Sequence, residues 1–200
     1  MFWDRIARFY DLFEKIYNGK VYKRLGVEVA KSIQSTDSVL ECACGTGMIS
    51  KAVAEKCKSL IATDYSAKML KRTKKKCRKL NNVAFAQADI MRLNYADESF
   101  DKVIAGNVIH LLKEPEQALK ELERVCRVGG KLIIPTYVNM EKNGKPNFFV
   151  RAIDKAGADF KRQFSYREYQ DFFESAGYCK VNFELIDGRM PCAIAIITKQ

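Results

Sequence analysis

Short apolar segments of β-type composition alternate along this chain of 200 residues with segments of helical periodicity. Clear examples are Ser38–Ala43, Ser59–Thr63 and Phe100–Ala105, and a helical pattern follows each of them. Such alternation is typical of α/β folds, in which helices connect the strands and cover both faces of the sheet. We therefore predict a Rossmann-like, doubly wound sheet.

The same patterns predict the remaining elements. Further strands are expected at Asn82–Ala86, Lys131–Val138, Val181–Ile186 and Cys192–Thr198, with a turn at Arg127–Gly130. Helices are expected at 2–33, from Met48 to about Lys56, from about Ala67, and at Glu114–Cys126 and Ser165–Ser175.

No repeat, linker or change of composition divides the chain, so we expect a single domain over 1–200. Within it, 1–33 forms an N-terminal helical cover, 37–137 the core, and 165–200 a C-terminal helix and strand pair. The segment 140–164 is long for a connection and contains a short apolar patch, which favours a lid or a substrate-binding segment.

Seven cysteines are sparse for a disulfide framework, their number is odd, and the chain lacks paired ligands at zinc spacing. We therefore expect structural thiols and no metal. No run of about 18 apolar residues could span a bilayer. The N-terminus also lacks the apolar core of a signal peptide, so we expect a cytoplasmic protein.

The formal net charge is +11, and much of it is concentrated in one predicted helix. Eight basic residues lie between Lys68 and Lys79, while Met69 and Thr73 recur on the opposite side. A solvated basic face is the simplest interpretation. An anionic partner such as RNA, membrane lipid or an acidic substrate is the alternative.

The segment Val39–Gly47, with the sequence VLECACGTG, runs from a buried strand through small residues into a helix. Ala43, Gly45 and Gly47 allow the backbone to turn sharply beside a ligand. Dinucleotides and S-adenosylmethionine both bind at such turns. Glu41 favours the second ligand, because its carboxylate would repel a pyrophosphate but suits an ammonium and a sulfonium.

Further polar residues follow the neighbouring strands. Asp64, with Tyr65 behind it, ends the second strand, where an acid can accept hydrogen bonds from both hydroxyls of a ribose. Asp89 and Ile90 follow the third strand, where a carboxylate beside an apolar residue suits adenine. Asn107 follows the fourth strand, at the edge where the carboxyl ends of the strands meet.

These motifs together resemble class I S-adenosylmethionine-dependent methyltransferases, and in particular the small-molecule branch that includes ubiquinone and menaquinone biosynthesis enzymes. The similarity covers roughly 37–137, through VLECACGTG, IATDYSAKML and QADIMRLNYADESFDKVIAGNVIHLL. It implies a seven-stranded sheet in the order 3-2-1-4-5-7-6 with the last strand antiparallel. It also implies that the cofactor is S-adenosylmethionine and that the reaction leaves S-adenosylhomocysteine as its demethylated product. The cofactor-binding roles fall on Glu41, Gly45, Gly47, Asp64, Asp89 and Asn107.

Ala43 departs from the family pattern, because many members have glycine there. Alanine is the smallest replacement and should leave the site usable.

His110 is the only histidine of the chain and is the candidate base, should the acceptor be a hydroxyl or a phenol. A satisfied histidine at the sheet edge is the alternative. Tyr10 in the N-terminal helix is expected near the cofactor.

The leading hypothesis is a methyltransferase that acts on a small-molecule acceptor, as a monomer or homodimer. The alternatives are an RNA or protein methyltransferase that uses the basic helix 68–79, and a non-enzymatic S-adenosylmethionine-binding module. Nucleic acid is not expected, because Asn107 is followed by Val-Ile-His rather than by the Pro-Pro-aromatic motif of base-amino methylation.

Overall fold

A seven-stranded sheet forms the centre of the computed structural model, which describes residues 2–139 and 161–200, with side chains excepted at 2 and 5–17. The strands are β1 Ser38–Cys42, β2 Ser59–Asp64, β3 Val83–Gln87, β4 Phe100–Ala105, β5 Cys126–Tyr137, β6 Val181–Ile186 and β7 Cys192–Thr198. The helices are α1 Phe2–Lys31, α2 Met48–Ala54, α3 Ala67–Lys76, α4 Pro115–Val125 and α5 Tyr166–Ser175.

The order of the strands is β3-β2-β1-β4-β5-β7-β6, as predicted. Strands β1 to β5 pair in parallel, whereas β7 is antiparallel to both β5 and β6. The order reverses between β1 and β4, so the connections from these two strands diverge and leave a crevice at their carboxyl ends.

Two apolar clusters cover the two faces of the sheet. One contains buried residues of α1 and α2, such as Leu25 and Val53, which pack on β1 and β2. The other contains residues of α4 and α5, such as Leu119 and Phe173, which pack on β4, β5 and β7. The prediction of helices on both faces is therefore confirmed.

Helix α1 is kinked at Asn18, whose backbone leaves the helical region with φ −130° and ψ 38°. The buried Asn18 side chain accounts for the position of the kink. Its Nδ2 donates to the carbonyl of Met190 at 2.7 Å, and its Oδ1 accepts from the amide of Met190 at 3.3 Å. The kink thereby fastens α1 to the connection between β6 and β7.

The predicted turn at Arg127–Gly130 is wrong as a separate element, because these residues lie within the bounds of β5. The register against β4 shifts here, from Phe100 opposite Cys126 to Lys102 opposite Lys131. The backbone of Gly129 and Gly130 exchanges hydrogen bonds with Lys199 at the end of the chain. This long-range pairing makes the segment a bulge of the strand, with Gly129 at φ 75°.

Most of the predicted lid, 140–164, lies outside the described residues. Within the described ranges, no helix has the length and apolarity needed to cross a membrane. The expected cytoplasmic location stays a prediction.

The connection from β1 to α2 uses left-handed backbone at Ala43 (φ 54°), Gly45 (φ 56°) and Gly47 (φ 80°). Glycine adopts this region freely, whereas for alanine the Cβ approaches the following carbonyl oxygen. Ala43 therefore holds a strained conformation at the carboxyl end of β1.

Replacing Ala43 with glycine should relieve this strain, which costs about 1–2 kcal/mol in a left-handed residue. The gain is partly offset by about 0.4–1 kcal/mol, because glycine increases the freedom of the unfolded chain. We expect chemical denaturation to show an unchanged free energy of unfolding, or a rise of up to about 1 kcal/mol.

The control is Ala52→Gly within α2, where the same chemical change should lower the free energy of unfolding by about 1 kcal/mol. Equal losses in the two variants would contradict the assignment of strain to Ala43.

Candidate functional site

A cleft of about 370 Å³ opens at the carboxyl ends of the strands. The ends of β1, β2 and β5 contribute to it, together with the segments that follow β3 and β4. Most of the predicted site residues line this cleft: Glu41, Ala43, Gly45, Asp64, Tyr65, Asp89, Ile90 and Asn107.

Asp64 holds the turn after β1 in place. Its Oδ2 accepts a hydrogen bond from the amide of Gly45, and its Oδ1 accepts one from the amide of Ser66, both at 2.8 Å. The carboxylate is largely buried, and this burial raises its pKa above the usual value. The tip of β2 thus fixes both the glycine turn and the beginning of α3.

A second set of contacts fixes the other side of this turn. The amide of Cys44 donates to the carbonyl of Thr63 at 2.8 Å, which extends the pairing of β1 with β2 past the end of β1. The Thr73 hydroxyl, on α3, donates to the carbonyl of Gly45 at 2.8 Å. Both backbone groups of Gly45 are therefore used within the fold.

Glu41 is buried, with 2% of its surface exposed, and it belongs to the lining of the cleft. Burial raises the pKa of this carboxyl to about 8, and the neighbouring charge of Asp64 acts in the same direction. Hydrogen bonding from Ser50 on α2 opposes this rise, while the Oε2 atom itself has no partner with hydrogen-bond geometry among the described residues. A buried acceptor of this kind is costly unless something satisfies it, so the position is suited to a cationic ligand.

Asp89 and Ile90 lie together after β3, as predicted. The Oδ1 of Asp89 accepts from the amide of Met91 at 2.9 Å, so the loop itself orients the carboxylate. Ile90 is buried and provides an apolar wall beside it. This pair has the acceptor and the flat apolar contact that an adenine requires.

Asn107 lies in the cleft with left-handed backbone at φ 54°. Its amide donates to the carbonyl of Pro135 at 2.8 Å, and its Oδ1 accepts from the amide of Tyr137 at 3.1 Å. The side chain thus joins the end of β4 to the end of β5 and positions Tyr137. Its direct contact with a cofactor stays a prediction.

Two predicted residues of the described part of the chain, Gly47 and His110, are not in the cleft lining. A Cβ at Gly47 would lie 2.7 Å from Cγ2 of Thr73, so packing against α3 accounts for this glycine. His110 is 7% exposed, and burial lowers its pKa to about 4, which keeps the imidazole neutral. Its role as a base stays a prediction, and the side chain of Tyr10 is outside the described part of the chain.

The N-terminal helix reaches the cleft through Trp3, which lines it. The next residue, Asp4, accepts a hydrogen bond from the hydroxyl of Ser66 at the beginning of α3. This bond is the main reason that the pKa of Asp4 is lowered. The contact attaches the start of α1 to the rim of the cleft.

Sequence reasoning missed much of the apolar lining. Seven further side chains, largely apolar, contribute to the cleft: Met48, Ile49, Met69, Val108, Leu111, Leu112 and Tyr137. Tyr137 could have been anticipated, because it ends β5 at the same edge of the sheet. Leu111 belongs to a short 3-10 helix, Ile109–Leu111, for which the sequence has no clear pattern.

Among residues 2–139 and 161–200, no group of three or more histidine, cysteine, aspartate or glutamate side chains is placed to hold a metal ion. Six of the seven cysteines are buried, and Cys179 is exposed.

Comparison with known proteins gives a consistent result. The pattern of a family described as "Methyltransferase domain" matches residues 40–134. A demethylmenaquinone methyltransferase of Shouchella clausii is 30% identical over 183 residues, covering 85% of this chain and 76% of that protein. A phosphatidylethanolamine N-methyltransferase of Cereibacter sphaeroides is 30% identical over 126 residues, covering 62% and 59%.

The fold is shared as well. An S-adenosylmethionine-dependent methyltransferase from Thermotoga maritima superposes with a TM-score of 0.73 at 20% identity, covering 100% of this chain and 99% of that one. The chain spans more than half, but less than two thirds, of the length of several curated relatives that it matches. The chain therefore belongs to the class I S-adenosylmethionine-dependent methyltransferases and is similar to the enzymes of menaquinone and ubiquinone biosynthesis.

Proposed function

We propose that this protein transfers the methyl group of S-adenosylmethionine to a small, largely apolar acceptor. The observation that supports this most directly is the buried carboxyl of Glu41, whose Oε2 lacks a partner among the described residues and which lines the same cleft as Asp64. Two acids at this edge of the sheet suit a nucleoside with a cationic side chain.

The residues of the cleft fit the cofactor at three points. Asp64 has further lone pairs, beyond those used by Gly45 and Ser66, for the hydroxyls of a ribose. Asp89 and Ile90 are suited to adenine, and Glu41 to the ammonium or the sulfonium. A pyrophosphate would need amides that point at it, whereas the amide of Gly45 already donates to Asp64.

The cofactor supplies an activated methyl group, so the protein has mainly to align an acceptor and exclude water. Leu111, Leu112 and Tyr137 also line the cleft, and these side chains offer an apolar wall to the acceptor. The named substrates of two relatives, demethylmenaquinone and phosphatidylethanolamine, are lipids. We infer an acceptor of that general class.

The alternatives have less support. Methylation of RNA or protein would rest on the basic helix 68–79 alone. A pure binding module would need no space for an acceptor, whereas the apolar lining by Leu111, Leu112 and Tyr137 favours an enzyme. Asn107 is followed by Val108 and Ile109, not by prolines, which disfavours methylation of a nucleobase amine.

A direct test is to supply methyl-labelled S-adenosylmethionine together with demethylmenaquinone or with phosphatidylethanolamine, in detergent, and to measure label in the organic extract. Label in one of these lipids would support the proposal and identify the acceptor class. Label found only in added RNA or protein would overturn it.

Asp64→Ala should weaken the binding of S-adenosylmethionine by about ten- to several-hundred-fold, because charge-assisted hydrogen bonds contribute about 1.5–3 kcal/mol each. The variant also leaves the amides of Gly45 and Ser66 without their partner. We expect calorimetric titration to show the loss, and denaturation to show a free energy of unfolding lower by about 1–3 kcal/mol.

The control is Asp171→Ala on the exposed side of α5, which should change neither quantity appreciably. Wild-type affinity in Asp64→Ala would mean that the ribose is held elsewhere.

Glu41→Gln should stabilise the protein without ligand. The pKa of Glu41 is raised in the folded state to about 8 from an ordinary value of 4.5. Between these values the unfolded chain releases this proton while the folded protein keeps it, so the free energy of unfolding falls as the pH rises. Glutamine removes this penalty. We expect the variant to gain free energy of unfolding over wild type from pH 5 to pH 8, by up to about 4 kcal/mol.

The same variant should bind S-adenosylmethionine about tenfold or more weakly, because the charge that faces the cation is gone. Glu174→Gln, at an exposed position of α5, serves as the control and should show neither effect. A Glu41→Gln protein that is no more stable than wild type at pH 8 would contradict the burial of an ionising carboxyl.

A further inference from the structure

The exposed side of α3 and of the turn that follows it is almost entirely basic. We define the basic face as the exposed residues Lys68, Lys71, Lys74, Lys75, Arg78 and Lys79. The opposite side of the helix, with Met69, Leu70 and Thr73, is buried against the fold. The basic side chains therefore point in one direction, away from the core.

Most of this face lacks acidic partners within the described part of the chain; the exception is Lys68, which lies near Asp4 and, after the hydrogen bond from Ser66, helps to lower the pKa of that acid. No carboxylate lies within ion-pairing distance of Lys71, Lys74, Lys75, Arg78 or Lys79 there, and α3 itself contains no acidic residue. Lys74 instead lies over the ring of Phe85, with its Nζ 5.7 Å from the centroid. Among the described residues, five of the six side chains of the basic face therefore have no acidic partner.

Other surface helices of the protein are different. In α4, Arg124 pairs with Glu121 at 3.0 Å, and in α5, Arg167 lies 4.0 Å from Asp171. Like charges three and four residues apart destabilise a helix, whereas mixed charges stabilise it. If the exposed side of α3 had only to face water, a mixture of acidic and basic residues would make the helix more stable. The excess of basic residues on α3 therefore indicates an external partner.

The N-terminal end of the basic face is next to the cleft. Ser66, the N-terminal cap of α3, and Met69 both line the cleft, and Lys68 lies between them in the chain. Tyr65, which also lines the cleft, is 56% exposed. An aromatic ring with a polar tip is suited to the boundary between headgroups and acyl chains.

We propose that the basic face docks this protein on an anionic lipid bilayer, so that a lipid acceptor can enter the cleft beside Tyr65. This inference rests on the proposed function, because a largely apolar acceptor resides in a membrane. Positive charge on one face complements an anionic membrane surface, which attracts each nearby lysine or arginine. A nucleic acid would meet the same charge, but the apolar lining of the cleft favours the bilayer.

Co-sedimentation of the full chain with vesicles tests the proposal. We expect binding to phosphatidylcholine vesicles that contain about 30% phosphatidylglycerol, with loss of binding at high salt. Pure phosphatidylcholine vesicles should bind little. The double variant Lys71→Glu and Lys75→Glu should lower the partition coefficient about 30-fold or more, equivalent to about 1 kcal/mol for each lysine removed.

The charge reversals also provide a check on folding. Glutamate at 71 and 75 would lie three or four residues from Lys68, Arg72, Lys74, Arg78 and Lys79, so the melting temperature should stay the same or rise. The matched control reverses Lys120 and Lys180, which are exposed outside α3 and give the same change in net charge. This control should retain vesicle binding.

Three results would overturn the proposal. The first is equal vesicle binding by the α3 double variant and by the control double variant. The second is equal binding of the unmodified chain to anionic and zwitterionic vesicles. The third is tight binding to duplex RNA at physiological salt without binding to vesicles. Titration with S-adenosylmethionine separates this inference from the proposed function. A chain that binds the cofactor but not the vesicles loses only the docking surface, whereas one that binds vesicles but not the cofactor loses the proposed function.

Discussion

The carboxylate of Asp64 determines the geometry on which the rest of the site depends. It accepts one amide from the turn after β1, at Gly45, and one from the beginning of α3, at Ser66. The turn after β1 and the beginning of α3 therefore meet at one side chain at the tip of β2. Because Asp64 also lines the cleft, a ligand bound there would contact the same carboxylate that fixes the turn after β1.

Glu41 destabilises the protein in its ionised form when no ligand is bound. Its carboxyl is buried at the carboxyl end of β1, and its pKa is raised to about 8, so the ionised form is disfavoured in the protein alone. A cation at this position would stabilise that form and satisfy Oε2. The strained backbone of Ala43 lies at the same edge of the sheet. Two unfavourable local features therefore lie beside the cleft, as is common at binding sites.

The strands and helices could be predicted almost completely, because most of them have a clear hydrophobic period. Ser66 and Ser165 mark the beginnings of α3 and α5 as side-chain caps. The wrong prediction, the turn at Arg127–Gly130, depends on hydrogen bonds with Lys199 that no local pattern contains. Two further contacts follow only from the order of the strands in the sheet. They are the packing of Gly47 on Thr73 and the hydrogen bond that the Tyr137 amide donates to Asn107. Residue types and strand ends therefore predict which side chains share the edge of the sheet, but not how they divide their hydrogen bonds.

We propose that the carboxylates of Glu41 and Asp64, with a turn amide at Gly45 that already donates to Asp64, make this cleft selective for a cationic nucleoside over a dinucleotide. Calorimetric titration of the unmodified chain, with S-adenosylmethionine, S-adenosylhomocysteine and NAD in parallel, tests this selectivity most directly. We expect saturable micromolar binding of the first two and no heat of binding from NAD. Micromolar binding of NAD with no response to S-adenosylmethionine would contradict it.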